Sequence, residues 1–303
     1  MKHPSSTTGD GRMRVAAAQM VFAPTIEGNL ERISLATGRA AELGADVILF
    51  PECATTGYGI DFGKLARPAL AGALQAVSAM AARHRIHLLV GSPVYMDRRR
   101  LNALLLFNRA GRLVHGYAKC QLTDDDRRWF SPGDALSLFS IEGMAATAII
   151  CHERRYPELV RLPVMAGARM VFHPNAGLDD LAVSKAKRGG RDGIPVRAFE
   201  NAVYYVFANS VGAQCGGKWS AGDTKIVAPD GSLLGLANNR DPALVVADLD
   251  PDLATRRYAT ESLRHPRFLT PHWRAMVREL RRRVASSDRA YRVLMKEPAP
   301  GAS

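Results

Sequence analysis

The sequence predicts an α/β fold in which a mixed sheet, or a pair of sheets, is flanked by helices within one domain. Three observations carry this. Apolar strands alternate with amphipathic helices through the first half, hairpins interrupt that alternation in the middle, and no linker or repeat unit divides the 303 residues. A chain of this length buries a sizeable core.

Residues 15–20 open as a short apolar strand. Beyond the turn at Pro24, residues 25–43 set Ile26, Leu30, Ile33 and Ala40 on one helical face, and Gly44 ends the helix. Residues 46–52 are a continuous apolar strand that delivers Glu52 just past a proline, followed by a loop over 55–59. The alanine-rich stretch 68–84 is helical, with Leu70, Leu74 and Val77 inward, and 87–91 is the next strand. Strands at 101–108 and 113–119 flank a hairpin turn at 109–112, where Gly111 supplies positive φ. A polar run over 122–129 and a turn over 130–134 lead to strands at 136–141 and 144–150.

The second of these ends abruptly at Cys151, and 158–166 is then a helix whose regularity Pro163 lowers. Residues 170–175 are a strand and 179–192 read as a mobile polar loop near a site entrance. A helix over 194–202 and strands at 204–209, 224–231 and 243–249 finish the sheet. A basic helix over 271–286 follows. Residues 1–12 and 297–303 read as a disordered lead-in and tail.

The hydrophobic share of 47% and the charged share of 23% are those of an ordinary globular protein. No apolar run approaches the roughly 20 residues that a spanning helix needs, and no signal peptide is evident, so the expected address is the cytoplasm without membrane attachment. Cys53, Cys120, Cys151 and Cys215 are too scattered for a disulfide framework and form no zinc pattern. A net charge of +12 raises nucleic acid as a partner. Without a zinc finger, a helix-turn-helix or a stacking motif beside the basic run 278–283, a solvated face or an acidic partner subunit fits better.

Three ionisable groups stand at the carboxyl ends of three separate apolar strands: Glu52, Lys119 and Cys151. In a layered α/β domain those ends converge on one rim. Their chemistry is complementary. A thiol is a poor nucleophile until a base takes its proton or a cation stabilises its thiolate. Glu52 supplies a base, and then an acid for a leaving amine. Lys119 supplies a cation for thiolate and oxyanion, assisted by the backbone N–H of His152. The His152 side chain is a poor base, because neighbours at an elbow point apart; His173 and His115 remain as alternative partners for the thiol.

Phe50-Pro51-Glu52 with Thr56-Gly57-Tyr58, Tyr117-Ala118-Lys119 with Leu122, and the run from Ile150 through Cys151 and Arg154-Arg155 to Glu158 resemble the three catalytic blocks of the nitrilase superfamily of carbon-nitrogen hydrolases. The resemblance continues through Gly167-Ala168, residues 197–201, Ala208-Asn209 and residues 229–231, covering nearly all of residues 14–250. It implies a four-layer α-β-β-α sandwich, a catalytic domain over 13–250, no metal and no organic cofactor. It also implies a Glu-Lys-Cys triad at Glu52, Lys119 and Cys151. Subunits would pair through the helix after the cysteine elbow, with the extension 251–303 and its basic helix at the dimer interface.

Two departures from that pattern matter. Asp126 stands where a second glutamate is usual, a methylene shorter, which predicts a longer contact with Lys119 or a shifted loop. After the cysteine, His152 and Glu153 replace the Tyr-Asp usual in amidase-like members. Arg154-Arg155 resembles the paired arginines of N-carbamoyl-D-amino-acid amidohydrolases, which makes Arg155 a candidate fork for a substrate carboxylate. Tyr58, His173 and Asn175 complete the supporting set. The expected activity is cysteine-dependent hydrolysis of a small amide through a thioester, with carbamoyl amides and then nitriles as alternatives. A non-catalytic binding protein on the same scaffold is the rival from another class.

Overall fold

Residues 11–186, 193–214 and 217–295 are described by a computed structural model, in which two six-stranded sheets pack face to face. The chain begins β1 (Met13–Gln19), α1 (Ile26–Glu42), β2 (Val47–Leu49), α2 (Arg67–His84), β3 (His87–Met96), β4 (Arg99–Phe107) and β5 (Leu113–Ala118). Thr25 starts α1 by accepting a hydrogen bond from the Gly28 N–H. β2 is shorter than the expected 46–52, because Pro51 has no N–H with which to continue a ladder.

The second half runs α3 (Asp124–Arg127), β6 (Phe139–Ile141), β7 (Met144–Ala148), a 3-10 turn (Cys151–Arg155), α4 (Glu158–Met165), β8 (Met170–Asn175), α5 (Leu181–Ala186) and α6 (Ile194–Phe199). Then come β9 (Tyr204–Asn209), β10 (Val211–Ala213), β11 (Trp219–Ala221), β12 (Lys225–Val227), β13 (Leu233–Leu236), β14 (Ala243–Leu249), α7 (Arg257–Ser262) and α8 (Thr270–Val293).

One sheet has the order β14-β1-β2-β3-β4-β5 and the other β13-β12-β9-β8-β7-β6, with β10 and β11 as a separate hairpin. Each holds a parallel trio, β1-β2-β3 or β7-β8-β9, flanked by antiparallel strands. Side-chain alternation explains the layers. Val15, Val47 and Leu49 face Ala146, Phe172 and Val206 across the gap between the sheets. Ala16 and Ile48 turn outward to Ile33, Leu74 and Val77 of α1 and α2. On the far side Val171 and Tyr205 meet Leu159, Val160 and Leu280 of α4 and α8. The four-layer α-β-β-α sandwich is therefore the observed fold.

Several expectations need correction. Residues 181–186 of the expected loop are helical: Ser184 donates its N–H to the Asp180 carbonyl and its hydroxyl to the Trp219 carbonyl. Residues 187–192 lie outside the described residues, as do Cys215, residues 1–10 and the expected tail. α3 arises inside a run read only as polar, because Thr123 and Asp126 cap it reciprocally. The basic helix is longer than expected, since Tyr291 packs its ring over Gly116 and anchors an extra turn and more. His115 donates nothing to the thiol; its ring lies 2.6 Å from Asp288 of α8 and 2.8 Å from the Ser137 hydroxyl.

Gly91 in β3 sets how closely the Glu52 backbone approaches the sheet. A Cβ there would lie 2.4 Å from the Pro51 carbonyl oxygen and 2.9 Å from Glu52 Cα. Neither is a flexible side-chain end. Gly91→Ala is therefore expected to destabilise the fold by about 1–3 kcal/mol and to displace Glu52, read as a lower urea midpoint with impaired turnover.

Candidate active site

Glu52, Lys119 and Cys151 meet at the rim where β2, β5 and β7 end. Glu52 is fully buried. Its Oε1 accepts from Lys119 Nζ at 2.9 Å and from Asn102 Nδ2 at 2.7 Å, while Oε2 is buried with no hydrogen-bond partner among the described residues. Lys119 Nζ also lies 2.8 Å from Asp126 Oδ2, so one ammonium joins two buried carboxylates. The shorter Asp126 makes its contact at full strength. α3 brings it in, with Thr123 donating to Oδ2 at 3.0 Å and Tyr58 donating its hydroxyl to Oδ1 at 2.6 Å.

Cys151 sits at φ 52°, in the left-handed region that an L-residue adopts at a cost. Glu153, two residues on, holds that elbow. Its buried carboxylate accepts from the N–H groups of Ile150 (2.6 Å), Cys120 (2.7 Å) and Gln121 (3.0 Å) and from the Tyr117 hydroxyl (2.8 Å). It thereby ties the residue before Cys151 to the residues after Lys119. Behind the elbow, His173 Nε2 lies 3.0 Å from the Cys151 carbonyl oxygen, and the Tyr205 hydroxyl lies 2.9 Å from Nδ1. His173 thus contacts the Cys151 backbone, not its sulfur.

Electrostatics follow from this packing. Burial, then the Glu52 carboxylate, push the Cys151 thiol up to about 12, against the opposing pull of Lys119 and Arg154. Burial raises Glu52 above the usual carboxylate range; Lys119 opposes that and Asp126 adds to it. For Lys119, burial disfavours the charge, but Glu52, Cys151 and Asp126 outweigh it and keep the ammonium charged. Burial likewise works against ionisation of Asp126, and Lys119 with Tyr58 reverses it. Burial, then Arg154, hold His173 well below the ordinary histidine range, so its ring is neutral. At neutral pH the resting Cys151 is therefore a thiol.

A cavity of about 550 Å³ opens on Cys151. One wall is apolar and aromatic: Tyr58, Ile60, Phe62, Trp129 and Leu178 line it, Phe62 edge-on to Trp129 and Tyr58. The rest is charged, with Arg128, Arg154, Arg155 and Lys218 against Asp125 and Asp179. Arg128 lies 3.7 Å from Asp125, and Lys218 2.8 Å from Asp180. Among the described residues Arg154 and Arg155 meet no carboxylate. Arg155 is exposed at the mouth; Arg154 is the deeper cation, whose field reaches Cys151 and His173. Asn175, next in sequence to the cavity-lining Ala176, is buried and donates to Asn209 at 2.8 Å. Among the described residues no three His, Cys, Asp or Glu side chains are grouped to hold a metal ion, and no helix is long and apolar enough to cross a membrane.

Sequence reasoning did not find Asn102, Glu153 or Tyr205, and it preferred Arg155 to Arg154. Asn102 left a signal as a polar side chain set between Leu101 and Ala103 in a largely apolar strand, and Glu153 as a carboxylate beside a buried elbow. Tyr205 left none.

A buried carboxylate-lysine-carboxylate set facing a thiol at a strained elbow, inside an α-β-β-α sandwich, defines a class of hydrolase. The chain belongs to the carbon-nitrogen hydrolase family, whose profile matches residues 14–258. Within it the protein is amidase-like. A hydrolase from the pqqF 5' region of Pseudomonas protegens is 31% identical over 84% of this chain and 91% of its own length. An omega-amidase from Xenopus tropicalis is 26% identical, covering 79% and 89%. Among solved structures, a nitrilase-superfamily amidase from Nesterenkonia AN1 superposes with a TM-score of 0.74 at 27% identity, covering 86% of this chain and 97% of that one. A double mutant of that amidase in complex with acrylamide gives 0.75 at 25% identity, covering 89% and 100%.

Proposed function

We propose that the protein hydrolyses small amides through an acyl thioester on Cys151. The observation that carries this is the Glu52 carboxylate, fixed through Oε1 by Lys119 and Asn102 with Oε2 left to take a proton. Glu52 accepts the thiol proton as sulfur bonds to the amide carbon. The oxyanion is held by Lys119 Nζ and the His152 N–H. Protonated Glu52 then gives its proton to the departing nitrogen, the C–N bond breaks and ammonia leaves. Water attacks the thioester, passing a proton to Glu52, and sulfur departs to recover it. The sum is amide plus water giving acid plus ammonia. Asp126, held by the Tyr58 hydroxyl, keeps Lys119 in place.

The pH dependence tests Glu52. A base works only when unprotonated, and burial raises this carboxyl, so kcat/KM falls as pH drops through a value above the ordinary glutamate range. A pH-rate profile whose acid limb sat at the free-glutamate pKa of about 4.3 would contradict the assignment.

Arg154 and Arg155, which meet no carboxylate among the described residues, favour an amide whose acyl chain carries a carboxylate, or an N-carbamoyl acid, over a neutral one. Relatives include an omega-amidase and a 2-oxoglutaramate amidase from Bacillus subtilis. Arg154→Met is expected to raise KM for carboxylate-bearing amides about 10- to 100-fold, the worth of a charge-assisted hydrogen bond. Ammonia release from a neutral amide such as propionamide should change little. Equal losses on both substrates would remove the carboxylate from the reading.

The same reading takes residues 13–250 as the catalytic domain and the extension as part of a homodimer contact. An apolar groove lined by Leu136, Leu162, Met276 and Leu280 between α4 and α8 supports that contact. Free thiols at Cys53, Cys120 and Cys151 accord with a cytoplasmic enzyme.

A further inference from the structure

His173 and Tyr205 are fully buried and lie on neighbouring parallel strands, β8 and β9, with the Phe207 ring against the imidazole. The hydrogen-bond inventory fixes their protons. A carbonyl oxygen can only accept, so His173 Nε2 must carry the hydrogen in its contact with Cys151. A neutral imidazole then has its lone pair on Nδ1, and Tyr205 fills it by donating its hydroxyl. Both ring nitrogens are occupied and neither faces the sulfur. The ring is therefore not the base for the thiol.

What this contact does follows from the planarity of the peptide. The Cys151 carbonyl and the His152 N–H are two ends of one rigid trans unit and point in opposite directions. Holding the oxygen aims the hydrogen. The unit follows a cysteine in the left-handed region, where an L-residue stays only if its surroundings hold it. We propose that Tyr205 and His173 form a positioning relay: Tyr205 locks the imidazole tautomer, the imidazole grips the Cys151 carbonyl, and the grip points the His152 N–H at the developing oxyanion. The inference rests on the reading above, in which that N–H is an oxyanion donor. Neither residue touches substrate, so the relay acts on kcat and not on binding.

The test is a cycle built on the tautomer. Glutamine at position 173 offers an amide N–H in place of Nε2 and has no tautomer to lock. His173→Leu, which removes the donor, is expected to lower kcat about 100-fold, the scale of one oxyanion donor, with KM nearly unchanged. His173→Gln is expected to restore most of that loss. Tyr205→Phe should lower kcat about 10-fold beside His173 and cost nothing further beside glutamine. In all variants the acid limb of the pH profile stays where the wild type has it.

Three outcomes overturn the relay: His173→Gln as slow as His173→Leu at equal thermal stability, Tyr205→Phe costing the same in both backgrounds, or an acid limb that disappears with the imidazole. Should Tyr205→Phe fail to fold, the comparison of glutamine with leucine at position 173 decides alone. Cys151→Ala run in parallel separates the two levels. Turnover surviving that change sinks the thioester reading itself. Its loss, with Tyr205→Phe and His173→Leu both at the wild-type rate, sinks the relay only.

Discussion

Cys151→Ala is expected to abolish turnover, lowering kcat by about 10⁵-fold or more, because the nucleophile acts as a unit with its base and no other group replaces it. The fold should survive. Cys151 is only partly buried at the edge of the inter-sheet cluster, and alanine keeps its Cβ and its left-handed backbone. Mass spectrometry of wild type quenched during turnover should show the acyl group added to the peptide carrying Cys151, and the alanine variant should show none. Full activity without Cys151 would end the covalent mechanism. Cys151→Ser is expected to remain nearly inactive, because an alkoxide is far harder to generate than a thiolate.

Lys119→Met should be as damaging to the enzyme, and it should also threaten the fold. Lys119 is about 1% exposed and joins Glu52 and Asp126, both without exposed surface. Removing the cation leaves two like charges buried side by side. Breaking one partner out of a buried ionic set costs about 3–5 kcal/mol, and the remaining carboxylates respond by binding a proton. The urea midpoint is expected to fall accordingly, and turnover to fall by at least about 10³-fold through loss of the oxyanion cation. Glu52→Gln is the informative contrast. Its amide oxygen still accepts from Asn102 and Lys119, and Asp126 still balances the ammonium, so that variant should fold and fail only in chemistry. A Lys119→Met protein as stable as wild type would show that the triad's charges are not mutually dependent.

The two experiments probe different links. The first asks whether sulfur bonds to carbon, and the second whether the site's electrostatics are part of the core. Their coupling is visible in Asp126. One methylene shorter than glutamate, it still reaches Lys119 at 2.8 Å, because α3 and the Thr123 cap carry its backbone inward. Side-chain reach alone predicted a longer contact. Local backbone structure, which a polar run of three aspartates does not announce, supplied the missing length.

Glu52, Lys119 and Cys151 were legible because each ends an apolar stretch, and a change from buried strand to ionisable residue is a local pattern. The long helices α1 and α2 were legible for the same reason, as were β8 and β9. Gly44 and Gly111 marked turns by their freedom at positive φ. The paired arginines were visible as charges, although only the structure shows Arg154 as the one whose field reaches the thiol.

The sequence by itself determined the chemistry available to this protein: a thiol, a base and a cation in order along the chain, on strands enough for two sheets. Tertiary structure decided their mutual geometry. It brought β14 back to β1 across more than 200 residues, set Asn102 against Glu52, gave Glu153 its four donors and paired Tyr205 with His173 behind Cys151. Those contacts depend on strand register and on how two sheets stack, which distant residues fix jointly. A periodicity can say that a residue is buried. Which partner it meets there is a property of the packed whole.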